Sequence, residues 1–204
     1  MNTDAEPACV SRGAGKLRAV FEAGLLDVRN RVCFDVGSST GGFTDLMLRH
    51  GARRVYCCDV GRGLLHERLR ADPRVVLFEG VNFRYFREQG CAARIAEPPE
   101  VFVVDVSFIS LRKILPVITT LIVSGGRVAA LVKPQFECPR SQSPGGVVKD
   151  PSFRRAAVDG VACFARSIGF QELGRVHPAV TGPRGNVETF LILKRCDDVP
   201  GTVR

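Results

Sequence analysis

The chain alternates short, almost uninterrupted apolar runs with longer stretches in which apolar positions recur at helical spacing. Five of the runs, RVCFDV (31–36), RVYCCDV (54–60), VVLFE (75–79), VFVVDV (101–106) and RVAALV (127–132), are rich in β-branched and aromatic residues. Runs of this kind mark strands covered on both faces, as in a parallel sheet. Between them the spacing predicts helices over 43–50, 64–71, 89–96 and 110–123, which is the βαβ alternation of an open α/β fold.

Beyond residue 132 the pattern changes. PRSQSPGG (139–146) reads as a mobile loop, and Asp150-Pro151 then supplies an N-cap with proline in the first turn of a helix that runs to Ile168 and stops at Gly169. ELGRVH (172–177) and TFLILKR (189–195) are joined by a turn-rich segment that suits an antiparallel connection. The expected architecture is α/β: a Rossmann-like, mostly parallel seven-stranded sheet with a C-terminal antiparallel strand and helices on both faces. Residues 11–196 form its one domain, and 1–10 and 197–204, which carry no periodicity, are expected to be flexible tails.

Composition narrows the class. With 204 residues, 45% hydrophobic and 25% charged, the chain has enough apolar material for one real core and is neither disordered nor a disulfide-stapled miniprotein. Its central charge-free stretch, Ile114 to Gly126, is too short and too broken by Pro116, Thr119, Thr120 and Ser124 to cross a bilayer. The start, MNTDAEPACV, lacks the basic and apolar regions of a secretory signal, so a cytoplasmic protein without a membrane partner is expected. Eight cysteines without a C-x-x-C, and only three histidines, point to reduced structural thiols and to no metal site. An excess of 29 Lys and Arg over 21 Asp and Glu favours polyanionic partners.

Candidate chemistry gathers at the predicted strand ends. In FDVGSSTGGFTD (34–45) a strand runs through Asp35 into Gly37, Ser39, Thr40, Gly41 and Gly42 before Phe43 opens a helix. Glycines at such a turn let the backbone approach a ligand and aim amide N–H groups at it. The spacing matches neither the dinucleotide G-x-G-x-x-G nor a P-loop, which disfavours a nicotinamide cofactor. Asp59 closes the second strand, where an acid can accept ribose hydroxyls, so turn and acid together indicate a nucleoside-containing cofactor. Asp105 and Lys133 end the fourth and fifth strands and emerge at the same sheet edge. A lysine beside an acid at the mouth of a cleft is suited to proton chemistry.

Seven segments, SRGAGKL (11–17), DVGSSTGGFTD (35–45), ADPRV (71–75), VDVSFISL (104–111), LVKPQFE (131–137), GGVVKDP (145–151) and TGPRGNVE (181–188), resemble in order the TlyA hemolysin family of FtsJ-like (RrmJ-type) ribose methyltransferases. The resemblance spans about residues 11–195 and implies S-adenosyl-L-methionine as cofactor and the 2′-hydroxyl of ribosomal RNA, free or in a ribosomal subunit, as acceptor. It implies that Asp35, Gly37, Ser39, Thr40, Gly41, Gly42, Phe43, Asp59, Asn82 and Asp105 surround the cofactor. The family's Lys-Asp-Lys-Glu catalytic group falls on Lys16, Asp105, Lys133 and Glu188. Only five of the 29 basic residues are lysines, and two of them occupy this group. Arg12, Arg62, Arg140, Lys149 and Arg184 lie on segments expected to surround the cleft and supply phosphate contacts. The family usually carries an S4-type RNA-binding domain ahead of this core, and the chain begins ten residues before SRGAGKL, so either a core without that domain or an internal fragment of a longer chain is expected. Two alternatives stand beside the enzyme: a non-catalytic RNA-binding or ribosome-assembly protein, and a membrane-active hemolysin.

Overall fold

In the computed structural model, which describes residues 9–11, 13–180, 182 and 185–196, seven strands form one sheet in the order β3-β2-β1-β4-β5-β7-β6. They are β1 (Val32–Val36), β2 (Arg54–Asp59), β3 (Val75–Glu79), β4 (Val101–Val104), β5 (Arg127–Val132), β6 (Phe170–Val176) and β7 (Thr189–Arg195). The first five pair in parallel, and β7 runs antiparallel to both β5 and β6. The expected sheet is therefore present, with one placement that periodicity does not reveal: β7, last in sequence, lies inside the sheet between β5 and β6. Of the expected tail 1–10, residues 1–8 lie outside the described residues, as do 197–204, Arg12 and Arg184, while Cys9 and Val10 pack against the core and the Val10 N–H donates to Asp45 at 3.1 Å.

Both faces of the sheet are covered, which is why its strands read as unbroken apolar runs. On one face Phe34, Tyr56, Phe78 and Phe102 pack among themselves and with Phe83 and Phe86, and the longest helix, Pro151–Ser167, covers the β5, β7 and β6 end; on the other, Cys33, Val55, Val103 and Ile192 share a core with Ala14–Glu22 and Gly42–Arg49. In chain order the helices are α1 (Ala14–Glu22), α2 (Gly42–Arg49), α3 (Glu67–Arg70), α4 (Leu115–Thr119), α5 (Pro134–Glu137) and α6 (Pro151–Ser167). α6 follows its sequence signals: the Asp150 carboxylate accepts the Ser152 backbone N–H at 2.7 Å, with Pro151 at the first position.

Three predicted helices are shorter than expected. The 110–123 segment divides into a 3-10 turn, Leu111–Lys113, and α4; there Thr119 and Thr120 hydroxyls donate back to the Pro116 and Val117 carbonyls at 2.7 and 2.8 Å, a local competition that ends the helix. Over 64–71 only α3 is helical, started by His66, whose ring accepts the Arg68 backbone N–H. The 89–96 segment is a 3-10 turn, Cys91–Arg94, behind the left-handed Gly90. The loop at 139–146 contains two further 3-10 turns, Arg140–Gln142 and Pro144–Gly146. The spacing did not predict α1, because the buried Lys16 interrupts its apolar face of Ala14, Leu17 and Val20.

Candidate active site

The five parallel strands deliver their carboxyl ends to one edge, and that edge carries the site. Because β7 is antiparallel, its beginning lies there too: Thr189 pairs with Val132, so Glu188 and Lys133 leave adjacent strands side by side. α1 brings Lys16 over the same edge. The result is a compact group of four charges. Lys133 Nζ lies 2.5 Å from Asp105 Oδ1, Lys16 Nζ lies 3.7 Å from Asp105 Oδ2, and Lys16 Nζ lies 2.7 Å from Glu188 Oε2. Lys133 also donates a hydrogen bond to Ser107 Oγ at 3.0 Å. The Glu188 side chain is fully covered and that of Lys133 only 8% exposed.

Two positive and two negative groups balance, which is what allows them to be buried together. At 2.5 and 2.7 Å the Lys133–Asp105 and Lys16–Glu188 contacts are charge-assisted, so each buried carboxylate has an ammonium within reach. Gly182 sits against Glu188, where a Cβ would lie 2.2 Å from its carboxylate.

Two cavities flank this group. The larger, about 780 Å³, is lined by the turn after β1 (Gly37, Ser39), by Asp59, by Asn82 and by Asp105, and its size suits a small-molecule cofactor. Gly37 is at φ 86°, and a Cβ there would meet the Asp105 carbonyl oxygen at 2.4 Å, so only glycine lets the turns after β1 and β4 close together. Asp59 is oriented by the Ser39 and Gly61 backbone N–H groups, which it accepts at 2.9 and 2.8 Å. The Asn82 side chain accepts the Arg84 backbone N–H.

The other expected cofactor residues stand behind the turn rather than on the cavity wall. Gly41 faces Leu65 and Leu69, Gly42 faces Ser11 and Ala14, Phe43 packs on Phe190, and the Thr40 carbonyl accepts the His66 N–H. Asp35 is wholly buried; Thr44 donates to it at 2.7 Å, and burial pushes its carboxyl up to about 7.

The smaller cavity, about 310 Å³, opens directly onto Lys133 and Glu188 and is also lined by Gln135, Gly146 and Asn186. Ser107, Phe108 and Phe136 line both cavities. Phe108 is 91% exposed, holds a left-handed φ of 64°, and its ring lies 5.2 Å from that of Phe136. Ser107, Phe108, Phe136, Glu137 and Asn186 were not singled out from sequence, although VDVSFIS and KPQFE contain four of them. An apolar ring between serines just after a strand end was the available signal. Lys113, which reads from sequence as a helix-surface lysine, instead lines the large cavity.

Among the described residues, no group of three or more His, Cys, Asp or Glu side chains is placed to hold a metal, and no helix is long and apolar enough to cross a membrane. Cys33, Cys57, Cys58 and Cys91 are buried, and burial raises the thiols of Cys33, Cys57 and Cys58 well above the usual range.

A Rossmann-like sheet with a glycine turn, an acid after β2 and a charged group beside the cleft defines the class as a methyltransferase-type α/β domain; fibrillarin from Aeropyrum pernix, solved with S-adenosyl-L-methionine, shares this fold with a TM-score of 0.64 at 14% identity, over 88% of this chain and 75% of its own. The sequence profile of the FtsJ-like methyltransferases matches residues 9–195, and the chain belongs to that family. It is 43% identical over 197 residues to the 16S/23S rRNA (cytidine-2′-O)-methyltransferase TlyA of Mycobacterium tuberculosis, covering 96% of this chain and 72% of that protein. Hemolysin A of Brachyspira hyodysenteriae is 39% identical, over 88% of this chain and 74% of its own length. A candidate hemolysin from Streptococcus thermophilus superimposes with a TM-score of 0.86 at 40% identity, covering 96% of this chain and 70% of that one.

Proposed function

We propose that the chain is an S-adenosyl-L-methionine-dependent methyltransferase acting on ribose 2′-hydroxyls of ribosomal RNA. The observation that carries this reading is the convergence of Lys16, Asp105, Lys133 and Glu188 between a cofactor-sized cavity and a second pocket that opens on Lys133 and Glu188. The 43% identity to an rRNA (cytidine-2′-O)-methyltransferase supports the substrate class.

When bound, the cofactor supplies an electrophilic sulfonium methyl group. Gly37 and Ser39 would approach it through backbone, Asp59 would accept its ribose hydroxyls, and Asn82 and Asp105 would complete the wall; Asp35, Thr40, Gly41, Gly42 and Phe43 would support the turn rather than line the cavity. A 2′-hydroxyl is a weak nucleophile, so holding it in line and removing its proton are the tasks left to the protein. Lys133 is placed to orient the hydroxyl and to take part in removing its proton. Asp105 holds Lys133 and Lys16, and Glu188 anchors Lys16. The exposed face of Phe108 offers the acceptor nucleotide a stacking surface.

Calorimetry with the purified chain should show S-adenosyl-L-methionine binding that weakens in Asp59→Ala by about 1.5–3 kcal/mol, the worth of hydrogen bonds to a charged acceptor. Equal affinity in the variant, or preference for NAD, would sink the cofactor assignment. Incubation with ribosomal subunits and labelled cofactor, followed by mass mapping of the RNA, should place the methyl on a ribose. Cofactor binding without transfer would instead favour a non-catalytic RNA-binding role.

A further inference from the structure

Glu137, the last residue of α5, lies four positions beyond Lys133 and outside the charged group. Its Oε2 accepts the Ser110 hydroxyl at 2.6 Å and its Oε1 accepts the Leu111 backbone N–H at 2.7 Å. Both donors belong to the segment that follows β4. The same segment is held at its other end by Lys133, which contacts Asp105 and Ser107. The turn from β5 into α5 thus grips the 105–111 segment at two points.

Between those points stands Phe108, in a left-handed conformation that costs a bulky residue energy and persists only where the surroundings enforce it. The backbone of residues 106–109 makes no hydrogen bond among the described residues, so the conformation depends on its two ends and on the packing of Val106 and Ile109 against the core. Phe136, adjacent to Glu137, meets the Phe108 ring, and these two rings with Ser107 line both cavities.

We propose that Glu137 is a positioning residue for methyl transfer: by clasping Ser110 and Leu111 it holds Phe108 as the partition between cofactor cavity and acceptor pocket, and so sets the alignment of the acceptor. The inference rests on the methyltransferase reading and deepens it. Glu137 touches neither cavity, so its removal acts through the 105–111 segment, on turnover more than on cofactor affinity.

The full chain is compared as wild type, Glu137→Ala and Glu137→Gln. In the alanine variant, single-turnover transfer to ribosomal subunits should fall on the order of ten- to a hundredfold, the scale expected of a small misplacement of reactants, while the cofactor Kd changes less than about threefold. Glutamine should recover transfer to within about threefold, because its amide oxygen can accept from Leu111 while its NH₂ donates to Ser110. Amide hydrogen exchange across 105–114 should quicken in Glu137→Ala and return in Glu137→Gln. Unchanged exchange in Glu137→Ala, wild-type transfer by that variant, a loss confined to cofactor affinity, or a glutamine variant as slow as alanine would each overturn the proposal. Absence of transfer by the wild type would overturn the methyltransferase reading, and the positioning role with it, while the exchange comparison still decides whether the clasp exists.

Discussion

Lys133 and Asp35 are both ionisable residues at strand ends, yet their surroundings give them different work. Lys133 has an acid and a hydroxyl within reach and faces the smaller cavity, so arginine is its informative substitution: the charge stays, but a guanidinium does not release its proton in the working range. Lys133→Arg should bind cofactor normally and transfer methyl about a hundredfold more slowly in single turnover. Comparable rates would leave Lys133 with orientation alone. Lys194, exposed near the far end of β7, is the control and should tolerate arginine, whereas Lys113 lines the large cavity and is unsuited to that use. Asp35 has no solvent and a carboxyl lifted to about 7, so the folded state holds a proton that the unfolded chain releases near pH 4. Its contribution therefore favours folding at low pH and is lost as pH rises from about 4 to about 7, after which the buried charge is a standing cost of a few kcal/mol. Asp35→Asn should gain thermal stability relative to wild type between pH 5 and pH 8, and a constant difference across that range would exclude the buried charge as its cause. The strand-end residues Asp35, Asp59, Asp105 and Lys133 were legible because polar groups interrupt apolar runs. Lys16 and Glu188 became candidates only through family resemblance, since neither sits where local pattern points.

Elements meet at this edge through backbone as much as through side chains. The turns after β1 and β4 touch at Gly37, and Gly37→Ala would place a methyl group against the Asp105 carbonyl in a conformation that L side chains rarely adopt. It should lower cofactor affinity at least about tenfold and stability by roughly 1 kcal/mol or more, measured by calorimetry and thermal unfolding. Unaltered affinity would show that the two turns can separate without disturbing the cavity. Strands and α6 were legible because their signals are local: long apolar runs, an Asp cap followed by proline, a glycine stop. α3 and α4 fell short of prediction because hydroxyl back-bonding and turn geometry compete with helix over a few residues. α1 was hidden for the opposite reason: its buried lysine is acceptable only beside Asp105 and Glu188, which arrive from elsewhere in the chain.

For the whole molecule, the net charge of +8 predicts how RNA is met. Arg62, Arg140 and Lys149 are exposed, while Arg12 and Arg184 fall outside the described residues. Binding of ribosomal RNA should weaken steeply with salt, with a logarithmic slope of about −3 or steeper if about four phosphates are contacted, and filter binding across a salt series measures it. Affinity insensitive to salt would show that phosphate contacts are not what holds the RNA. From sequence alone followed the class of fold, the burial of the sheet on both faces, the strand ends as the place of the chemistry, and the polar residues Asp35, Asp59, Asp105 and Lys133 at those ends. Those properties depend on neighbours along the chain, where hydrophobic period and turn residues act directly. Tertiary structure alone decided that β7 enters between β5 and β6, that Lys16 is buried, that Glu188 emerges beside Lys133, and that Glu137 fastens the Phe108 segment. Strand order and direction result from long-range pairing, and buried charges become tolerable only when their partners are assembled, so neither leaves a periodic trace in the residues themselves.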